Sequence, residues 1–300
     1  MKTIILLADQ ALPPRPSIWD RPRPLWNVAG KTIIGHLLDL LRDELTGDVI
    51  FVFDPAKSTV NTWIQDNYPQ LAAHFVPQSA GEQAQALALC QDFLDDEAVL
   101  VVADLVVVEA AFDKLGKMGA GVVRVTPPDT AVSPTSSAAV TWFTNGRLLQ
   151  SALQSTGPSA TLQDVYQELQ NGGTAVAALP AQLWLETHTP DALLHANQRL
   201  LGLGYGATAD AIERSYVEDF TVLPPVFIDE EAYIEAAVVG PYVSVYAGAV
   251  IKSAIVRHSI IAADAHLENC ILDGALVGER AKITGSVSKL LVGDDATEIG

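Results

Sequence analysis

The chain has 300 residues, 49% of them hydrophobic, and its 36 acidic against 18 basic side chains give a formal charge of −18. That length suits two domains with substantial cores, and the acidity argues against nucleic acid or an anionic membrane as partner, since both need a broad basic face. The longest apolar runs, such as 98–103 and 105–108, are far too short to cross a bilayer.

Cys90 and Cys270 lie far apart and offer neither a disulfide framework nor metal-ligand spacing. The start of the chain lacks a basic region followed by an apolar stretch and a small-residue cleavage site, so a cytoplasmic location is expected.

Residues 3–41, TIILLADQALPPRPSIWDRPRPLWNVAGKTIIGHLLDLL, come first in the chain and in importance. An apolar β-rich run, 4–7, leads through a proline-punctuated loop to Gly30. An amphipathic helix follows, with Ile34, Leu37, Leu38, Leu41 and Leu45 on one face. Strand, loop and helix in this order present anions to loop amides and basic side chains. The loop sets Arg15, Arg21, Arg23 and Lys31 against Asp9 and Asp20, a local reversal of the overall charge. The plainer alternative is a solvated basic loop.

Through residue 202, strands predicted at 49–53, 99–102, 121–125, 138–143 and 174–179 alternate with helices near 33–45, 58–67, 82–94, 110–117, 162–170 and 191–201. Such alternation predicts a mostly parallel sheet covered by helices on both faces. Ligands of such sheets bind beyond the carboxyl ends of the strands, which places the loops after Leu7 and Val102 on one rim. Asn145-Gly146 reads as a hairpin tip, and 125–140, rich in Pro, Ser and Thr, as a polar loop. Asp104 follows an apolar strand, where a carboxylate is costly unless it is exposed at the rim or ligated; capping the next element is the alternative. Glu186 and His188, two residues apart on a strand, point to one face. A metal there would need a third ligand, for which Asp104 is the nominee. Thr189 or Asp191 caps the next helix, with Pro190 at its first position.

A linker, 203–225, ends at Pro224-Pro225. Beyond it apolar residues recur every six: Ile228 and Ile234; Val239, Val245 and Ile251; Ile255, Ile261 and Leu267; Ile271, Val277 and Ile283. Small residues (Ala232, Ala249, Ala265, Ala275, Ala281) fall two positions before many of them. This period predicts a hexapeptide-repeat, left-handed parallel β-helix of roughly three coils. The expected organisation is therefore 1–202 α/β, 203–225 linker and 226–300 β-helix. Open solenoid ends and flat faces predict a homo-oligomer formed through the β-helix. His258 and His266 are candidate bases for acyl transfer, a weaker reading because a lone histidine is more often structural.

Four stretches resemble the sugar-1-phosphate nucleotidyltransferases (NDP-sugar pyrophosphorylases). Ile5-Leu6-Leu7-Ala8 match the family's first strand, Arg15-Pro16 its R-P, Pro22-Arg23-Pro24-Leu25 its P-K-P-L and Val28-Ala29-Gly30-Lys31 its V-x-G-K. Residues 76–89, VPQSAGEQAQALAL, resemble its base-holding segment, and VLVVADLVV at 99–107 resembles the strand whose aspartate binds magnesium. WLETHTPDALLHANQRLL at 184–201 resembles W-x-D-x-G-T-P-E-D-L-x-x-A-N-x-x-L. Several branches of the family add a β-helix.

The resemblance implies a Rossmann-like α/β domain that joins a nucleoside triphosphate to a sugar 1-phosphate with release of pyrophosphate. It places Ala8, Asp9, Gln78, Gly81 and Gln83 at the nucleotide, Arg23 and Arg15 as catalytic cations, and magnesium on Asp104 and Glu186. The departures fall in the phosphate loop. Asp9 and Ala11 replace its glycines, Pro13 its arginine and Arg23 its lysine; Glu186 replaces an aspartate. No lysine lies between Lys117 and Lys252, where the family grips the sugar phosphate. The resemblance thus implies a nucleotidyltransferase with weak or lost activity. The alternative is a non-catalytic regulatory or scaffolding homologue that binds sugar nucleotides or a sister subunit, as in the ADP-glucose and GDP-mannose branches.

Overall fold

The computed structural model describes residues 1–7, 21–78, 83–103, 106–128, 139–157, 160–206, 220–285 and 291–299. The chain forms two compact units, one of residues 1–13 and 36–184, the other of 14–35 and 185–300.

The first unit is built on a seven-stranded sheet. Its strands are β1 (Lys2–Leu6), β2 (Val49–Phe53), β3 (Ala73–Pro77), β4 (Val99–Val102), β5 (Val122–Thr126), β6 (Val140–Phe143) and β7 (Val176–Pro180). Their order is β7-β5-β6-β4-β1-β2-β3. All pairings are parallel except those of β6, which runs antiparallel to β4 and β5. The near-continuous β-branched runs VIFVF and VLVV follow from burial on both faces, as parallel sheets require. Helices α1 (Ile33–Leu40) and α2 (Thr59–Asn67) come first in the chain. Ile4, Leu6, Ile50, Val52, Val99, Val101, Val122 and Phe143 pack on Leu87, Leu149, Val165 and Tyr166 from the next three, α3 (Gln83–Ala88), α4 (Gly146–Thr156) and α5 (Leu162–Asn171).

Two elements depart from the sequence reading. Asn145-Gly146 is not a hairpin tip: Asn145 caps α4, its side-chain oxygen accepting the Leu148 amide at 3.0 Å. The residues after Gly146 bury Leu149 and Ala152 at helical spacing, so they cannot serve as a returning strand with alternating faces. β3, Ala73–Pro77, was not expected because AHFVP lacks a buried apolar run. It lies at the sheet edge, where partial exposure and a proline are tolerated.

In the second unit, short parallel strands stack into three ladders. The first contains Thr221–Val222, Val238–Val239, Ile255–Arg257 and Ile271–Asp273. The second runs from Val226–Ile228 to Leu291–Val292, and the third from Tyr233–Glu235 to Thr297–Ile299. This is a parallel β-helix with more coils than the three expected: the second and third ladders have five strands each.

Its repeat is not a strict hexad. Partners on adjacent coils are Val226–Val243, Ser244–Ile260, Ile260–Leu276 and Leu276–Leu291, spacings of 17, 16, 16 and 15. The inward residues are Val239, Val245, Ile251, Val256, Ile261, Leu267, Leu272, Val277 and Ile283, all buried. Ile255 and Ile271 therefore do not point into the core as the six-residue phase predicts; Ile271 is 51% exposed. The corners explain the shorter coil. Columns of left-handed residues turn the chain tightly: Ser253, Asn269 and Gly285; Tyr242, His258 and Gly274; Gly248, Asp264, Arg280 and Asp295. Glycine, asparagine and aspartate take this conformation at least cost.

Also in this unit, helix α6 (Pro190–Gly202) is capped by Thr189, whose Oγ1 accepts the Ala192 amide at 3.1 Å with Pro190 at the first position, as expected. A small antiparallel hairpin pairs Asn27–Val28 with Lys31–Thr32. Within this unit the chain places residues 21–33, α6 and the second ladder of the β-helix together, so by packing 185–202 and the basic segment group with the solenoid.

Candidate functional site

The carboxyl edge of the sheet in the first unit collects part of the expected site. β1 and β4 are parallel neighbours, with Ile5 opposite Val102, so both leave the sheet on the same side. Leu7 is held there by its amide to Val52 O at 2.8 Å. Gln78 directly follows β3; its amide donates to Phe53 O at 2.8 Å and the residue is 6% exposed. Gln83 opens α3, and its Nε2 donates to Ala103 O at 2.5 Å. Ala103 is fastened from the other side by its amide to Ala139 O. Gln83 thus anchors the exit of β4, immediately before Asp104. Ala8, Asp9, Arg15, Gly81 and Asp104 lie outside the described residues.

The same unit holds a buried cation that the sequence reading gave no role. Arg124 on β5 is 3% exposed. Its guanidinium carbon lies 5.2 Å from the centre of the Tyr166 ring, and the Tyr166 hydroxyl shares a 2.9 Å hydrogen bond with Thr141 Oγ1. Burial pushes the Tyr166 phenol up, with the Thr141 bond and the Arg124 charge opposing. A stacked arginine keeps its charge while covering apolar surface. An arginine inside a β-branched strand, VVRVT, is the signal that marks it.

In the second unit, Arg23 begins a short 3₁₀ turn, Arg23–Leu25, that buries Pro24 and Leu25. Its carbonyl accepts the Trp26 amide at 3.0 Å. Arg21 reaches Glu279 on the β-helix, Nε to Oε1 at 2.7 Å. Ala29 and Gly30 both have positive φ, 45° and 85°. A Cβ on Gly30 would stand 2.8 Å from the Phe227 ring, so this turn requires glycine. Asn197 on α6 is 1% exposed and joins three parts of the unit. Its Oδ1 accepts the Ala29 amide at 2.9 Å and the Ser244 hydroxyl at 2.6 Å, and its Nδ2 donates to Tyr242 O at 3.2 Å. Tyr246 OH accepts the Gly30 amide at 3.1 Å, and burial raises its pKa.

Glu186 is exposed and stands 3.7 Å from His188 Nδ1. Among the described residues, no three His, Cys, Asp or Glu side chains gather as a metal site. One carboxylate is too few for a protein cage, yet magnesium is commonly held by one or two carboxylates plus substrate phosphates, so Glu186 fits only a site that its substrate completes. His258 is not isolated: Nδ1 lies 2.8 Å from Asp273 Oδ1, and its ring stacks on Tyr242 with centroids 5.6 Å apart. No helix among the described residues is long and apolar enough to cross a membrane.

No family model matches the chain. It is 27% identical over 107 residues to the bifunctional protein GlmU of Methanocaldococcus jannaschii, a match covering 35% of this chain and 25% of that one. The chain thus spans about a quarter of the length of this curated relative. Among solved structures, it superposes on one described as a glucose-1-phosphate thymidylyltransferase of Bacillus anthracis, crystallised with sucrose. The TM-score is 0.55 and the identity 14%, over 69% of this chain and 96% of the other. These findings bear out the fold expected from the sequence, a mixed α/β unit with a mostly parallel sheet followed by stacked parallel strands.

Proposed function

We propose that this chain is a sugar-1-phosphate nucleotidyltransferase-like protein that binds a nucleotide or sugar nucleotide and turns over weakly or not at all. The observation that carries this reading is the carboxyl edge of the sheet, where β1 and β4 leave side by side, Gln83 is bonded to Ala103 O at the exit of β4, and Gln78 follows β3 with its amide on Phe53 O. That edge is where open α/β sheets receive their ligands, and in this reading Gln78 and Gln83 lie beside the base. Ala8, Asp9 and Gly81 belong to the same site in this reading. The resemblance nominates Arg15 and Arg23 as the cations for the phosphates and Asp104 and Glu186 as carboxylates for magnesium, which would neutralise phosphate charge.

The phosphate loop decides how much chemistry is left. Phosphoryl-type transfer rests on positioning and charge stabilisation, and losing one preorganised donor costs on the order of 3 kcal/mol. Asp9, Ala11, Pro13 and Arg23 alter four such positions at once. The same observation favours a second reading, a non-catalytic homologue that binds sugar nucleotides or a sister subunit. In this reading the protein works in the cytoplasm as a homo-oligomer built through the β-helix.

The test is a thermal-shift screen of the full chain with ATP, GTP, UTP, dTTP and their sugar nucleotides, with and without magnesium. A ligand at a hundred times its Kd stabilises the folded state by about 2.7 kcal/mol, so a clear upward shift with one base is expected. No shift with any nucleotide or sugar nucleotide would overturn the nucleotide-binding reading and leave only a homologue that binds a sister subunit.

A further inference from the structure

The side chain of Gln83 joins two segments of the first unit that the nucleotide-binding reading treats as separate. The residue lies within 76–89, the stretch that the resemblance gives to the base, yet its Nε2 donates to Ala103 O at 2.5 Å, on the strand that leads to Asp104. We propose that Gln83 is a positioning residue, which couples the base segment to the magnesium carboxylate Asp104 and does not itself select the base. This rests on the nucleotide-binding reading and assigns one of its residues a different task.

The parallel ladder between β1 and β4 ends at Ile5 and Val102, so Ala103 is the first residue beyond it. Its amide still reaches Ala139 O, at 2.6 Å, and its carbonyl is taken by Gln83. Ala103 is 4% exposed, and a backbone carbonyl buried that deeply needs a partner.

At the other end of the bond, Gln83 is fixed by its own helix. Ala84 and Leu87 pack in the same core cluster as Val101 and Ala103. Both ends are thus anchored in one core, where displacement of one packed element is passed to the next. A side-chain amide has two N–H donors and one carbonyl. With one N–H spent on Ala103, the protein backbone sets the orientation of the amide, whichever base arrives. Coupling of this kind is reciprocal: base binding biases the exit of β4, and magnesium at that exit biases the base segment.

Titration calorimetry on the full chain with ATP, GTP, UTP and dTTP, each with magnesium and with EDTA, tests this. The unaltered chain should bind at least one of them more tightly when magnesium is present. Gln83→Met keeps the length and loses the donor. It should cut the magnesium enhancement about tenfold, within the usual range for coupled sites, and leave the order of the four bases unchanged. In an Asp104→Asn background the same substitution should cause little further loss, because a residue acting through Asp104 has nothing left to act on. Should Gln83→Met fail to fold, Gln83→Glu serves with the same expectation, since it sets an acceptor against Ala103 O. A changed order of bases makes Gln83 a base contact and overturns the proposal. So does a magnesium enhancement that is absent from the unaltered chain, or survives the substitution, or a loss that is undiminished beside Asp104→Asn. Those outcomes strike the proposal alone; an unaltered chain that binds no nucleotide removes the nucleotide-binding reading and the proposal with it.

Discussion

Asn197 and Ser244, 47 residues apart, meet through a 2.6 Å hydrogen bond buried between helix α6 and the β-helix. The same Asn197 oxygen takes the amide of Ala29, so one side chain satisfies the polar groups of three chain segments. A short amide cannot be replaced there without orphaning buried donors. Leaving a buried polar group without its partner costs about 1–3 kcal/mol. Asn197→Ala should therefore lower the urea midpoint clearly, and Ser244→Ala, which removes one bond and its donor together, should cost less. Equal midpoints for Asn197→Ala and the unaltered protein would refute the clamp.

Turnover with ordinary substrate pairs should be very slow or absent. At positions that the proposed reading assigns to the phosphates, Pro13 has neither side-chain charge nor amide hydrogen, Ala11 lacks the freedom of a glycine, and Asp9 adds a negative charge. A pyrophosphate-release assay with glucose 1-phosphate or mannose 1-phosphate and each nucleoside triphosphate should give kcat far below about 1 per second, the low end of ordinary enzymes. A value at or above that level would overturn the reading of weak or lost activity. Asp104→Asn would then be expected to abolish it.

Both thiols should be inert in the native protein. Burial pushes Cys90 up to about 12 and Cys270 up to about 11, and the thiolate is the reactive form. Ellman's reagent at pH 8 should titrate neither until denaturant is added. Rapid labelling of one thiol in native buffer would contradict the packing around it.

Asp95 makes the acid side of the stability profile predictable. The Lys2 ammonium bonds its Oδ2 at 2.5 Å and the Glu97 amide its Oδ1 at 3.0 Å, holding the carboxyl below its ordinary range. A depressed folded-state pKa means stability present above the unfolded pKa, near 3.9, and lost as pH falls through the folded value. Asp95→Asn should melt lower than the unaltered chain at pH 6, with the gap closing as pH falls through the folded-state value. A gap that persists at pH 2 would mean that the charge is not responsible.

The first ladder of the β-helix carries Val238, Ile255 and Ile271 outward and in register, with Arg257 paired beside Asp273. In so acidic a chain, a locally neutral apolar strip is where two copies can meet with least repulsion. Light scattering should report an oligomer, and Ile255→Glu with Ile271→Glu should reduce it to monomer. A monomer at high micromolar concentration for the unaltered chain would end this proposal.

Alternation of β-branched runs with helical periods is local information, and it determined the mostly parallel sheet, because each strand must be apolar where both faces are covered. It also determined that a repeat follows residue 226, since inward residues must recur once per face of a solenoid. The phase of that repeat was not local. Beyond Ile251 two five-residue steps and one six-residue step make each coil, because left-handed corners at Ser253, His258, Asp264 and Asn269 shorten it, and isoleucine reads alike whether it faces in, as Ile251 does, or out, as Ile271 does. Asn145-Gly146 is ambiguous for the same reason: the pair suits both a hairpin and a helix start, and only the burial of Leu149 and Ala152 against the sheet chooses the helix. The polar connections were invisible for a different reason. Asn197 with Ala29 and Ser244, Arg21 with Glu279, and Arg124 with Tyr166 join residues far apart in sequence. Such partners are set by which surfaces the folded chain lays together, and no period or spacing along the chain encodes that.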